Sequence, residues 1–185
     1  FLSISFVYFS PLLAGKILEM PDISNYIGAS KEIVDFRKNT GEEALWTNSM
    51  FSGMPAYQIS TISQSNVAQY FFKIITLGIP RPACYLFLYL LGFYILLCSL
   101  KVDIRISVIG AIAFAFSSYF FIILEAGHMT KAHAIAYVPM VIASVLYTYR
   151  GKILLGGILT SLTVALEIYA NHLQITYYLV LILVL

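Results

Sequence analysis

Long runs of apolar residues, separated by short polar breaks, dominate this chain. After an apolar opening from Phe1 to Gly15, five runs are long enough to read as apolar helices. They are Ala83 to Leu100, Ile106 to Leu124, Ala134 to Tyr149, Ile153 to Ala170, and Leu173 onward. A bilayer core takes about 20 such residues as helix. The last two runs have only Asn171, His172 and Gln174 between them. A single helix through both would be about 50 Å long, too long for one crossing without severe tilt, so the pattern predicts a tight hairpin at Asn171–His172. Between the opening and these runs lies a more polar stretch, Lys16–Pro82. Within it, Ser30 to Lys38 shows apolar residues at helical spacing, with Asn39 and Gly41 as stop signals. Gly53-Met54-Pro55 marks a turn. Asn66 stands where it can cap VAQYFFKIITLGI, which is too short to span and reads as an interfacial helix. Pro80 and Pro82 lead into the next helix, where proline is tolerated in the first turn.

Composition turns this pattern into a class. The chain is 60% hydrophobic and 11% charged, with a mean hydropathy of +0.86. A soluble domain carries about 25% charged residues. The expectation is an all-α, polytopic transmembrane helix bundle. Three regions follow: a first transmembrane helix over 1–15, a helical extracytoplasmic loop over 16–82, and a bundle over 83–185. The opening inside one apolar run and the end inside another read as a piece of a larger chain. A cleaved signal peptide is the other reading of the opening, without a basic region or an A-x-A-like site to support it. A net charge of +2 gives no reason to expect a nucleic-acid partner. Cys84 and Cys98, about 21 Å apart on one helix, are too distant for a disulfide.

Charge in the short breaks sets an orientation. Lys101 and Arg105 flank one break, and Arg150 and Lys152 another; both read as cytoplasmic. Glu125–His133, Asn171–Gln174 and the long segment Lys16–Pro82 then share the opposite side.

That side holds the residues with chemistry. Ionisable groups at membrane depth are costly and mostly face a protein interior, a wet cavity or a substrate. Glu125-Ala-Gly-His128 is followed by Lys131 and His133. Glu125 and His128 share a helical face, as do His128 and Lys131. Lys131 with two histidines is a phosphate-binding set; the plainer reading is a solvated loop with one ion pair from Glu125 to Lys131 or His128. Glu167, Asn171 and Gln174 would stripe one face if their helix continued, and His172 lies beside them. The alternative is a hydrogen-bonding network that pins the hairpin. Asp22, just beyond the opening run, fits either a general base or cation ligand or a helix N-cap. The two Glu–His pairs also raise a divalent cation, although their spacing matches no short metal motif. Trp46 and Tyr57 are aromatics of a kind that stacks on sugar faces, or simply packs. GAIAFAFSSYFFIILEAGH and GKILLGGILTSLTVALEIYANH share an order of glycine, apolar span, Leu-Glu and His, a faint internal echo.

The strings GEEALWTNSMFSGMPAYQIS, PACYLFLYLLGFY, GAIAFAFSSYFFIILEAGHMTKAHAIAY and LEIYANHLQITYY resemble the YfhO-like bacterial membrane proteins, in the version associated with Bacteroidetes. The order of helix, long loop with an early Asp, and closely spaced helices resembles the C-type (GT-C) glycosyltransferases. This resemblance covers the chain from about Asp22 onward. It implies a multi-pass protein of the bacterial inner membrane with an extracytoplasmic active face. The donor would be a polyprenyl-phosphate-linked sugar, and the acceptor an extracytoplasmic glycan, envelope polymer or protein. It implies Asp22 as the catalytic carboxylate and Glu125 as a second acidic position. His128, Lys131 and His133 would hold the leaving phosphate, with Glu167, Asn171 and His172 contacting substrate or supporting those that do. The chain departs from the paired acidic motif common in that group, because Ile23 follows Asp22, and strict metal dependence is not implied. The rival class is a polytopic transporter or lipid flippase with a Glu/His polar site; a third is a non-catalytic envelope assembly component.

Overall fold

A computed structural model describes residues 1–60 and 66–185; residues 61–65 of the expected loop lie outside the described residues. The described residues are all-α apart from one two-stranded ribbon. It divides into two compact units, 1–18 with 67–185, and 19–66.

In the first unit the opening run forms two short helices, α1 (Leu2–Tyr8) and α2 (Ser10–Leu13), rather than one helix over 1–15. Pro11 has no N–H to bond the carbonyl of Val7, and its ring crowds that turn. The chain continues through α4 (Ala68–Ile75), α5 (Ala83–Ser99), α6 (Ile104–Ala115), α7 (Ser118–Ala126), α8 (Met129–Tyr149), α9 (Ile153–Tyr169) and α10 (Leu173–Val184). The run expected as one helix over 106–124 is thus α6 and α7, bent by 42° at Phe116–Ser117. Adjacent serines at 117 and 118 are a common site for such a kink. Asp103 opens α6 by accepting from the Arg105 N–H at 2.9 Å. Helix α8 begins at Met129, five residues before the expected start, so the polar stretch through His133 is helical. Asn171 takes a left-handed conformation (φ +56) and turns the chain between α9 and α10, as the hairpin expectation required.

Of the described helices, α8 alone is long and apolar enough by itself to cross a bilayer; α6 and α7 together are a second candidate if they form one bent span. Helices α5, α9 and α10 are apolar but shorter.

Helices α5 and α8 run side by side in the same direction. Tyr89 donates to the Ala132 carbonyl at 3.0 Å, fully buried. One turn on, a Cβ added at Gly92 would lie 3.1 Å from the Ala136 carbonyl oxygen. Ala132, Ala136 and Ala143 on α8 are buried, and these small residues let the two backbones approach. Helix α9 returns antiparallel against the far end of α8. There the Ser144 and Thr163 hydroxyls share a hydrogen bond of 3.1 Å, and Thr148 donates back to the Ser144 carbonyl. A Cβ on Gly156 would meet the Thr148 backbone at 2.7 Å. Helix α10 lies along α8 by a matched pattern. Ile175, Tyr178, Leu179 and Ile182 face Ile135, Val138, Pro139 and Ile142 around an apolar cavity of about 320 Å³. The chain's outer surfaces are also apolar: Ile104, Ile109, Ile153 and Leu154 are each more than 60% exposed.

The second unit is α3 (Pro21–Thr40) packed with a ribbon of β1 (Trp46–Thr47) and β2 (Met54–Pro55). Helix α3 is much longer than the expected 30–38. Pro21 occupies its first turn, and Gly41, with φ +74, closes it. The turn expected at Gly53–Pro55 falls slightly earlier, over Met50–Gly53, and Met54 and Pro55 are strand. Gly53 (φ +121) is needed twice, because a Cβ there would also lie 2.8 Å from the Trp46 Nε1. Glu32 ties the ribbon to α3: its Oε2 accepts from the Thr47 hydroxyl at 2.5 Å and from the N–H groups of Asn48 and Ser49 at 3.0 and 2.9 Å. These bonds hold its carboxyl below the ordinary value of 4.5, the Thr47 hydroxyl contributing most. Arg37 grips Glu43 through two bonds of 2.7 and 2.6 Å, which lowers the Glu43 carboxyl as well.

Two outcomes follow from this packing. Gly156→Ala should lower the melting temperature in detergent, since overpacking costs about 1–3 kcal/mol. Gly157→Ala, where the added Cβ meets nothing within 4 Å, should not. In the second unit, a depressed carboxyl stabilises the folded form above its unfolded value and loses that effect as pH falls through the folded value. The emission of Trp46, the only tryptophan, should therefore change as the pH drops below about 4.5, and Glu32→Gln should flatten that response.

Candidate functional site

The end of the first unit where α5 and α8 begin and α9 ends carries a closed polar cluster. Positions 85 and 89 on α5, and 133 and 137 on α8, repeat at i, i+4 and so share their helix faces. The result is an aromatic box around His133. Its ring lies 4.6 Å from Phe72, 5.6 Å from Tyr85, 5.5 Å from Tyr137 and 5.8 Å from Tyr169, centroid to centroid. His133 is 4% exposed. Its Nε2 and the Tyr137 hydroxyl are buried with no hydrogen-bond partner among the described residues. Buried polar atoms are nearly always paired, so two in one box mark a place shaped for something else. The Nδ1 of His172, at the start of α10, is buried and unpartnered too.

The box opens into a cavity of about 180 Å³ lined by Arg81, Tyr85, Met129, Thr130, His133, Tyr169, Ala170 and Asn171. Arg81 supplies its charge. Its guanidinium sits 5.7 Å from the Phe72 ring centroid and 6.0 Å from that of Tyr85, a cation–π arrangement. Pro80 and Pro82 bracket it, and the Arg81–Pro82 peptide is cis. Helix α4 covers the cluster from the side, with Phe72 inward and Tyr70, Phe71 and Ile74 exposed. The set combines a planar cation, a buried imidazole, an amide and phenol hydroxyls. It is equipped to bind an anion that offers several oxygens.

The residues singled out from the sequence divide between places. His133 and Asn171 line the same cavity, and His172 is next in the chain. Lys131, two residues from His133, lies 5.3 Å from the ring centroid of Tyr119 on α7 and does not line the cavity. Glu125 and His128, at the end of α7 and the start of α8, are exposed. Among the described residues an ion pair forms between Arg37 and Glu43. Glu167 is fully buried and accepts from the Thr176 hydroxyl with both oxygens, each at 3.0 Å. The left-handed turn at Asn171 removes the stripe of Glu167, Asn171 and Gln174, and Glu167 instead joins α9 to α10. Asp22 belongs to the 19–66 unit and sits half-buried in the first turn of α3. The N-cap position is Met20, so the capping role considered for Asp22 is replaced by a favourable charge within the first turn. No group of three or more His, Cys, Asp and Glu side chains suited to a metal occurs among the described residues.

Arg81, Tyr85 and Tyr169 are site residues that the sequence reading passed over. Arg81 had one visible signal. A cation just before a helix opposes the positive end of the helix dipole, so its place ahead of α5 needs another reason. The tyrosines offered none, because tyrosine is spread throughout the chain, fourteen in all.

Compared with known protein families, curated proteins and solved structures, the chain matches none.

The role of Glu167 can be separated from that of the cavity. Thr176→Val should strand a buried carboxylate and lower the thermal stability of the protein by about 1–3 kcal/mol. Glu167→Gln with Thr176 intact should retain most of the stability. The check is a melting curve of each variant in the same detergent.

Proposed function

We propose that this is a polytopic membrane protein that transfers a sugar from a polyprenyl-phosphate donor to an extracytoplasmic glycan, polymer or protein acceptor. The observation that carries this reading is the Arg81–His133 cavity: a cation and a buried, unpartnered imidazole nitrogen at one end of a set of apolar helices. Apolar outer faces on α6 and α9 and the exposed Tyr70, Phe71 and Ile74 of α4 support immersion in lipid, with α4 at the interface. Lys101, Arg105, Arg150 and Lys152 sit at the opposite helix ends, which supports a cytoplasmic assignment for those ends and an extracytoplasmic one for the cavity.

A lipid phosphate needs its headgroup at the boundary and its chain in the bilayer, and a site at the helix ends meets both needs. In the proposed step the acceptor hydroxyl gives its proton to a carboxylate base, the role that the resemblance implies for Asp22. Its oxygen bonds to the anomeric carbon of the donor as the bond from that carbon to the phosphate oxygen breaks. The electron pair leaves with the polyprenyl phosphate. Arg81, and His133 through Nε2 as donor, take the charge that grows on the leaving oxygen, the largest kind of catalytic contribution in many enzymes. Asn171 and the Tyr169 and Tyr85 hydroxyls orient the phosphate. Asp22 and Glu125 keep the acidic roles that the resemblance implies, and no residue is assigned to a metal. The transporter or flippase reading is less well supported, because His133 is only the fifth residue of α8 and transporter sites lie near the midplane.

The test uses the purified protein in liposomes with a radiolabelled polyprenyl-phosphate sugar. Asp22→Ala should reduce transfer by about 10²–10⁴-fold, the range of general base catalysis. Arg81→Ala should raise the donor KM by about tenfold or more, since a hydrogen bond to a charged group is worth about 1.5–3 kcal/mol. Donor movement across the bilayer without any glycosylated product would instead establish the transporter.

A further inference from the structure

The 19–66 unit has a cavity of its own. It measures about 290 Å³ and lies between α3 and the ribbon, lined by Glu32, Phe36, Glu43, Leu45 and Trp46 among others. Its apolar walls stand open: Trp46 is 56% exposed, Phe36 41% and Leu45 85%. Apolar patches rimmed by polar residues mark interaction surfaces or ligand-binding grooves.

Trp46 is also held in place. Its indole rests against Gly53, where any side chain would collide with it, and its backbone is paired with Pro55 in the ribbon. A fixed, half-open indole beside a cavity is a platform rather than a loose surface residue. Both carboxylates are equally fixed. Glu32 is held by three bonds from the 47–49 segment, and Glu43 by the two-pronged grip of Arg37. Their charge is already answered, Glu43 by a guanidinium and Glu32 by N–H and O–H donors. The cavity therefore has little left to offer a cation. It offers rigid hydrogen-bonding groups beside flat apolar rings.

We infer that this cavity binds a neutral carbohydrate, with the C–H face of a pyranose ring on Trp46 and Phe36 and its hydroxyls on Glu32 and the Arg37–Glu43 pair. Pyranose rings have an apolar C–H face and a rim of hydroxyls, and this pairing of aromatic and planar polar groups matches both. The binding claim stands on the 19–66 unit alone.

The single tryptophan makes the experiment direct. The full protein in nanodiscs is titrated with maltotriose, mannotriose and chitotriose in turn, with no lipid-linked donor, and Trp46 emission is followed. Sorbitol at equal concentration is the control. A saturable change with at least one trisaccharide and none with sorbitol is expected. Saturation-transfer NMR on the same sugar should show binding about tenfold weaker in Trp46→Ala and largely kept in Trp46→Phe. Phe36→Ala should weaken the emission titration, whereas Tyr57→Ala, outside the cavity, should leave it unchanged. No saturable change with any of the three sugars, an equal response to sorbitol, or a Trp46→Ala affinity equal to the parent's would overturn the inference. The titration uses no donor and is therefore independent of the liposome assay: sugar binding here with no transfer there would count against the transferase reading alone, and transfer there without sugar binding at Trp46 against this inference alone.

Discussion

Everything at the polar end of the helices depends on how closely α5 approaches α8. Gly92 lies against the Ala136 carbonyl, and Tyr89 reaches the Ala132 carbonyl with a buried hydrogen bond. Small residues on α8 make that distance possible. Tyr85 on α5 and His133 on α8 are thereby drawn into one box, and neither can turn away without opening the seam. With Phe72 and Tyr169 closing the sides, the imidazole is left with aromatic neighbours and an unanswered nitrogen. A larger residue at position 92 would press on the Ala136 carbonyl oxygen and push the two helices apart, opening the box.

The polar groups of the first unit fall into two kinds. Ser144, Thr163, Thr148, Glu167 and Thr176 bond to one another or to backbone and hold helix to helix. In an apolar surrounding such bonds are a principal source of association. Among the described residues His133, Tyr137 and His172 keep atoms unpaired, and Arg81 stands over rings. Stability accounts for the first kind and not for the second. This difference, more than the presence of histidine or glutamate, points to the α5–α8 end as the working end.

Much of the fold could be read from hydrophobic runs. Helix α5 ends one residue from its expected limit and α9 likewise, because apolar runs bounded by Pro82, Lys101, Lys152 and Asn171 leave little choice. The early start of α8 was hidden by its polar residues: His128, Lys131 and His133 look like loop composition, yet Met129, Lys131 and Ala132 among them are strong helix formers. The breaks at Phe9 and Phe116–Ser117 were hidden by runs that stay apolar across them. The site was legible only in part. His133 and Asn171 stood out as polar residues in apolar sequence, whereas Arg81 was one cation among several in a long segment, and only the fold brings it within reach of His133. Glu167 looked the most costly carboxylate and turned out to be satisfied by a threonine nine residues later, a partner that spacing on a continuous helix could not supply.

The central claim is that the Arg81–His133 cavity holds the phosphate of a membrane lipid. Phosphorus-31 NMR of a polyprenyl phosphate in nanodiscs, with and without the protein, addresses it most directly. A shifted, broadened phosphate resonance is expected in the presence of the protein, returning to its free position with Arg81→Ala and with His133→Phe, both checked for intact melting behaviour. A resonance unmoved by the parent protein, or one that stays shifted in both variants, would contradict it.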